Sequence, residues 1–80
     1  MQNSSAHLTI HLTNGDIIST DMFSEIKSHK KRISCVRDAI IEGNFIAGMY
    51  TTRLGAMRQA QTIVMYDQVV GISAPINKER

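Results

Sequence analysis

The chain has no tryptophan, one cysteine and one proline, and only 5% of its 80 residues are aromatic. A core without large rings has to be filled by Ile, Val, Leu and Met. With 42% hydrophobic residues the composition is that of a globular chain and not a disordered one. The single Cys35 excludes an intrachain disulfide and an all-cysteine metal site; a reducing, cytoplasmic setting is the simpler inference, with Cys35 as a small buried apolar residue and a reactive thiol as the alternative. No apolar run approaches the roughly 20 residues of a membrane span. The opening Met1-Gln2-Asn3-Ser4-Ser5 is polar and uncharged, unlike a secretory signal. A large excess of one charge is also missing: nine Lys and Arg against seven Asp and Glu give +2, too little by itself to specify a polyanion partner. Neither a Gly-rich phosphate loop, nor a CxxC pair, nor a locally supported Ser, His and acid set occurs, so a non-enzymatic protein without cofactor or metal is expected.

What is present reads as one domain over residues 7–75, with a loose polar lead at 1–6 and a charged tail at 76–80. A chain this short buries only roughly 60 to 65% of the surface its unfolded form exposes, so association with further copies is expected to help it. Leu8, Ile10 and Leu12 alternate with His7, Thr9, His11 and Thr13, the period of a strand buried on one face. His7 and His11 share its outward face at roughly 13 Å, too far apart to hold one metal. Asn14-Gly15 follows as a type I′ turn, which returns residues 16–22 antiparallel. Asp16 and Asp21 on this returning segment read as solubilising carboxylates.

Residues 24–32 form a polar link holding Lys27, His29, Lys30, Lys31 and Arg32, the one concentration of charge in the chain. Residues 33–42 admit two readings. Ile33, Val36 and Ile40 fit a helical face with Ser34 as N-cap and Gly43 as stop; as a strand the alternation is poor. Glu42-Gly43-Asn44 signals a turn, and residues 45–52 read as a strand in which Gly48 marks a bulge or bend. Residues 53–60 lack an apolar period and read as a loop. Residues 61–75 then read as strand, tight turn at Asp67-Gln68, and strand, stopped by Pro75. Met22, Met49, Met57 and Met65 are expected to fill the core, the alternative being an adaptable binding surface. The fold class expected is mostly β: a small, strongly bent barrel of about five strands, with one short helix if 33–42 is helical.

The run Leu8-Thr9-Ile10-His11-Leu12-Thr13-Asn14-Gly15-Asp16-Ile17-Ile18 resembles the first half of an Sm-like domain. Ile63 to Ser73 is similar to that family's second half, and Val64 to Pro75 resembles the end of its bacterial, Hfq-type riboregulators, including Tyr66 and Pro75. Val36-Arg37-Asp38-Ala39-Ile40-Ile41-Glu42 is similar to the family's third strand, and on that resemblance the segment is expected as a strand in place of a helix. The departures fall at the RNA-binding positions. The loop after the second strand is basic and has no Asn, the final turn carries Asp67 where a cation is usual, and Ser19 and Thr20 stand where the second strand commonly bends at glycine.

The resemblance implies a homo-oligomeric regulator of single-stranded RNA. Lys27, His29, Lys30, Lys31 and Arg32 would meet phosphates, while Tyr66 and Gln68 would stack on and hydrogen-bond a base. The same barrel also serves small bacterial proteins that bind a protein partner, the inhibitor of the Rho termination factor among them. A protein-binding adaptor is therefore the alternative expectation, and a sponge for a small ligand a third.

Overall fold

Alternation in the first part of the chain becomes a hairpin. In the computed structural model, which describes residues 7–75, strand β1 (Leu8–Leu12) pairs antiparallel with β2 (Ile17–Thr20). Its register sets Ile10 opposite Ile18 and Leu8 opposite Thr20. The turn is not the expected two-residue type I′. Leu12 N–H donates to Asp16 O (3.0 Å) and Gly15 N–H to Leu12 O (3.1 Å), and Gly15, at φ +92°, takes the left-handed position alone. This is the three-residue hairpin, a β-turn followed by a left-handed glycine, so Asn14 is spared a positive φ. Strands β3 (Phe45–Thr51) and β4 (Met57–Ile63) are joined the same way. There Thr52 N–H donates to Ala56 O (2.8 Å), Gly55 N–H donates to Thr52 O (2.8 Å), and Gly55 has φ +97°.

The five strands form one antiparallel sheet in the order β4-β3-β2-β1-β5, with β5 at Val69–Ser73. The protein is therefore mostly β, as its composition and alternation imply. Strands β4 and β5 end that order at opposite edges, so residues 61–75 are not the hairpin expected of them. Val64 is buried in the core just after β4, and Thr13 N–H donates to Gln68 O (2.9 Å). These two anchors carry the chain across the sheet to pair with β1. The loop expected at 53–60 is also corrected, because residues from Met57 onward belong to β4. Its polar sequence has no period because an edge strand leaves most of its side chains in water.

The strand expected at 36–42 is a helix, α1 (His29–Ile41), which begins at Ser28 and not at Ser34. Val36, Ala39 and Ile40 lie buried along one face, the i, i+3, i+4 stripe of a helix packed on a sheet. They meet Leu8, Ile10, Ile18, Ile46 and Val64 in an entirely aliphatic core. At its end Gly43 N–H donates to Ile40 O (3.1 Å) and Asn44 N–H to Ala39 O (3.0 Å), the paired bonds of a Schellman stop, so the Gly43 signal was correctly placed. At its start Ser28 Oγ accepts from Lys31 N–H (3.3 Å). Ser28→Ala should lower stability by about 1 kcal/mol and the thermal midpoint by about 4–8 °C, read by circular dichroism melting.

The methionines are largely outside the core. Met57 (65% exposed) and Met65 (63%) are open to water, Met49 is half-buried, and Met22 packs against the core margin. The expected lead and tail, residues 1–6 and 76–80, lie outside the described residues. Among the described residues no helix is long and apolar enough to cross a membrane.

Candidate nucleic-acid interface

The connection from β4 to β5 presents the one tyrosine expected to meet a base. Met65 is extended, and a single 3-10 turn, Tyr66–Gln68, closes with Gln68 N–H donating to Met65 O (2.9 Å). Tyr66 is half-exposed. It lines a shallow cleft of about 170 Å³ between α1 and β5 with Ile33, Arg37, Val69, Val70, Gly71 and Ile72. Arg37 is thus the cation beside Tyr66, a role that sequence reading did not assign. Lys30, Ile33 and Arg37 stand at i, i+3 and i+7, one face of α1, so Lys30 continues the same stripe toward the helix start. The Arg37 guanidinium meets the Asp38 carboxylate at 3.3 Å, but both side chains are about half exposed, and such a pair is weak enough to yield to another anion.

The basic cluster does not form a loop. Only Lys27 precedes α1, while His29, Lys30, Lys31 and Arg32 make its first turn, where no acidic residue offsets the positive end of the helix dipole. Lys27, Lys30 and Lys31 are exposed and His29 half-buried. Arg32 is corrected from a phosphate ligand to a structural residue. It is 3% exposed, and its Nε donates to Met22 O (3.0 Å), tying α1 to the end of β2. Burial follows from its place four residues before Val36, on the face turned to the sheet.

Gln68 and Tyr66 line different clefts. Gln68 Oε1 accepts from Thr13 Oγ1 (2.8 Å), and Gln68 lines a second cleft, of about 190 Å³, toward the β1–β2 turn with Leu12, Asn14, Tyr50 and Thr62. Tyr66 and Gln68 therefore do not converge on one base.

A second polar cluster locks the two hairpin turns together. Asp16 accepts from Tyr50 Oη (3.0 Å), Arg53 N–H (3.0 Å) and Asn14 Nδ2 (3.2 Å). It lies one strand length, about 17 Å, from Asp21, so the carboxylates are not neighbours and Asp16 is more than a solubilising group. Burial raises the Tyr50 phenol above its ordinary value, the hydrogen bond to Asp16 and the Asp16 charge add to this, and the Arg58 charge acts the other way. A raised phenol stabilises the fold below the unfolded value near pH 10, and that stability is lost as pH climbs through the folded value. Urea midpoints measured from about pH 10 upward should accordingly fall more steeply for the native protein than for Tyr50→Phe.

His11 Nε2 lies 3.0 Å from Ser73 Oγ across the β1–β5 pair. Among the described residues no group of three or more His, Cys, Asp or Glu is placed to hold a metal. Comparison of the chain with models of known families, with curated proteins and with solved structures returned no match.

Proposed function

We propose that this protein is a non-enzymatic regulator that binds single-stranded RNA in the cleft between α1 and β5 and works as a homo-oligomer. The observation that carries this reading is the sharing of one cleft by the half-exposed Tyr66 ring and the Arg37 guanidinium. Unstacked bases are held on such aromatic and guanidinium surfaces, and every base has a face to offer, so the contact tolerates many sequences. Lys30 on the same helix face, with Lys31 and Lys27 near the helix start and the Arg37 charge itself, supplies the phosphate contacts. Arg32 has no part in them, and Gln68 serves the fold. Asp67, exposed and next to Tyr66 in the chain, disfavours a phosphate there.

Fluorescence anisotropy of a labelled single-stranded oligonucleotide tests the reading. Binding is expected at low salt and should weaken with a log–log slope of about −2 to −3, the value for contacts from Lys27, Lys30, Lys31 and Arg37 at about 0.7 each on a single strand. Absence of binding at every salt concentration would remove RNA. A stoichiometric protein complex that survives nuclease would then put the adaptor in its place.

A further inference from the structure

The edge formed by β4 carries few of the features that keep a sheet edge from pairing, a single charge, Arg58, being the exception. Its seven residues, Met57–Ile63, contain neither Pro nor Lys, and all seven pair with β3 in one unbroken register. At the other edge, β5 is shorter, and its register with β1 shifts between His11 and Leu12. The hydrogen-bond phase of β4 is fixed by the hairpin bond from Thr52 N–H to Ala56 O. Alternation from there directs Arg58, Ala60 and Thr62 to β3 and leaves the N–H and C=O groups of Met57, Gln59, Gln61 and Ile63 facing outward.

We propose that a second copy of the chain pairs with this edge, β4 against β4, about a two-fold axis at Ala60, giving one continuous sheet through the dimer. Among two-fold registers, the one centred on Ala60 employs every outward group of the strand. Gln59 pairs with Gln61 of the second copy, and Met57 pairs with its Ile63. The side chains agree with that register. Met57 and Ile63 are exposed apolar residues that would cover one another, and exposed Phe45, opposite Ile63 within the chain, extends the apolar row. The paired glutamines can exchange amide hydrogen bonds. Arg58, the one charge on the strand, faces Thr62 and not its own copy, so no like charges oppose. Both strands contribute the same patch, as a closed two-fold interface requires.

This inference gives a form to the self-association in the proposed function and does not depend on RNA, whose cleft lies at the other edge of the sheet. Analytical ultracentrifugation of the full chain should show a monomer–dimer equilibrium. Gln59→Lys with Gln61→Lys, which sets lysines against lysines at water-exposed positions, should raise the dimer dissociation constant about tenfold or more. Val70→Lys on β5 should leave it unchanged. In a Cys35→Ser background, Ala60→Cys should give a disulfide-linked dimer on mild oxidation, because directly opposed residues without mutual hydrogen bonds have Cα atoms about 4.5 Å apart, within disulfide reach. A monomer at all concentrations, a larger ring, or a dimer that ignores the β4 lysines and fails to cross-link at position 60 would overturn the proposal. RNA binding retained by the monomeric lysine variant would separate the two readings, and loss of RNA binding in Tyr66→Ala with an intact dimer would separate them in the other direction.

Discussion

Gly48→Ala should be the most damaging of the glycine-to-alanine changes, lowering stability by about 2–3 kcal/mol and the thermal midpoint by about 10–20 °C. The added Cβ would stand 2.3 Å from Ser19 O, 3.0 Å from Ser19 C and 3.2 Å from Thr20 Cα, all of them backbone atoms that no rotamer change can move away. Strands β2 and β3 would have to part just beyond the last pair of their ladder, Ser19 with Met49. That parting would strain the bond from the fully buried Thr20 Oγ1 to Ala47 O (2.7 Å), and with it the bond from Met22 N–H to the same Thr20 oxygen (3.1 Å). A domain of this size has a total stability on the order of 4–12 kcal/mol, so a large part of it depends on one absent side chain. Gly71→Ala is the control: nothing lies within 4 Å of its added Cβ, and its midpoint should move by less than about 4 °C. Urea unfolding of both variants checks the contrast, and equal midpoints would refute it.

Gly48 also shows how much the sequence could tell. A glycine in the middle of an apolar strand reads as a bulge, a bend or a close approach, and the residues alone do not choose among these. The β3–β4 register runs through it without a shift, so close approach is the answer, set by a β2 backbone some 28 residues earlier in the chain. The elements that were legible are those whose pattern is local: β1 by its strict alternation, the turn by Asn14-Gly15, β3 by its apolar run, and the helix stop by Gly43. The helix start was hidden because His29, Lys30, Lys31 and Arg32 put positive charge at the positive end of a helix, against the usual preference, while Ser34 offered a better-looking cap. Strand β4 was hidden because its half-buried positions, Ala60 and Thr62, are a small residue and a polar one, so this edge strand carries no apolar period. The apolar residues 61–75 showed two strands but not their partners, since pairing with β3 and with β1 is decided by Val64 and Thr13 at long range.

The candidate site divides along the same line. Tyr66 and the exposed lysines could be nominated from residue type, whereas Arg37 lies 29 positions from Tyr66 and shares its cleft only because α1 packs beside β5. Asp16 and Tyr50 were equally out of reach of local spacing, since they come together through the β2–β3 ladder. Arg32 was nominated wrongly for a related cause. Charge clustering counts residues along the chain, but a helix turns each successive residue by about 100°, and one of the four went to the core face.

Tyr66→Ala should weaken RNA binding by about 5- to 160-fold, the loss of one base stacked on an aromatic ring, and should leave the salt slope unchanged. Tyr66→Phe should retain most of the affinity, because the face of the ring and not its hydroxyl makes the contact. Arg37→Gln should act on both terms: affinity falls, and the slope decreases in magnitude by about 0.7 because one phosphate contact is gone. Its effect on folding should be small, since among the described residues the ion pair removed is the exposed one with Asp38. Replacing Lys27, Lys30 and Lys31 together by Gln should flatten the slope by about 2 while leaving the stacking loss of Tyr66→Ala intact on that background. Arg32→Gln supplies the contrast that the fold demands. It severs α1 from Met22 O inside the protein, so it should lower the melting temperature and leave the salt slope of the remaining folded protein as it was. If Arg32→Gln instead flattens the salt slope at unchanged stability, or Tyr66→Ala binds as tightly as the native protein, the RNA does not lie in the cleft between α1 and β5.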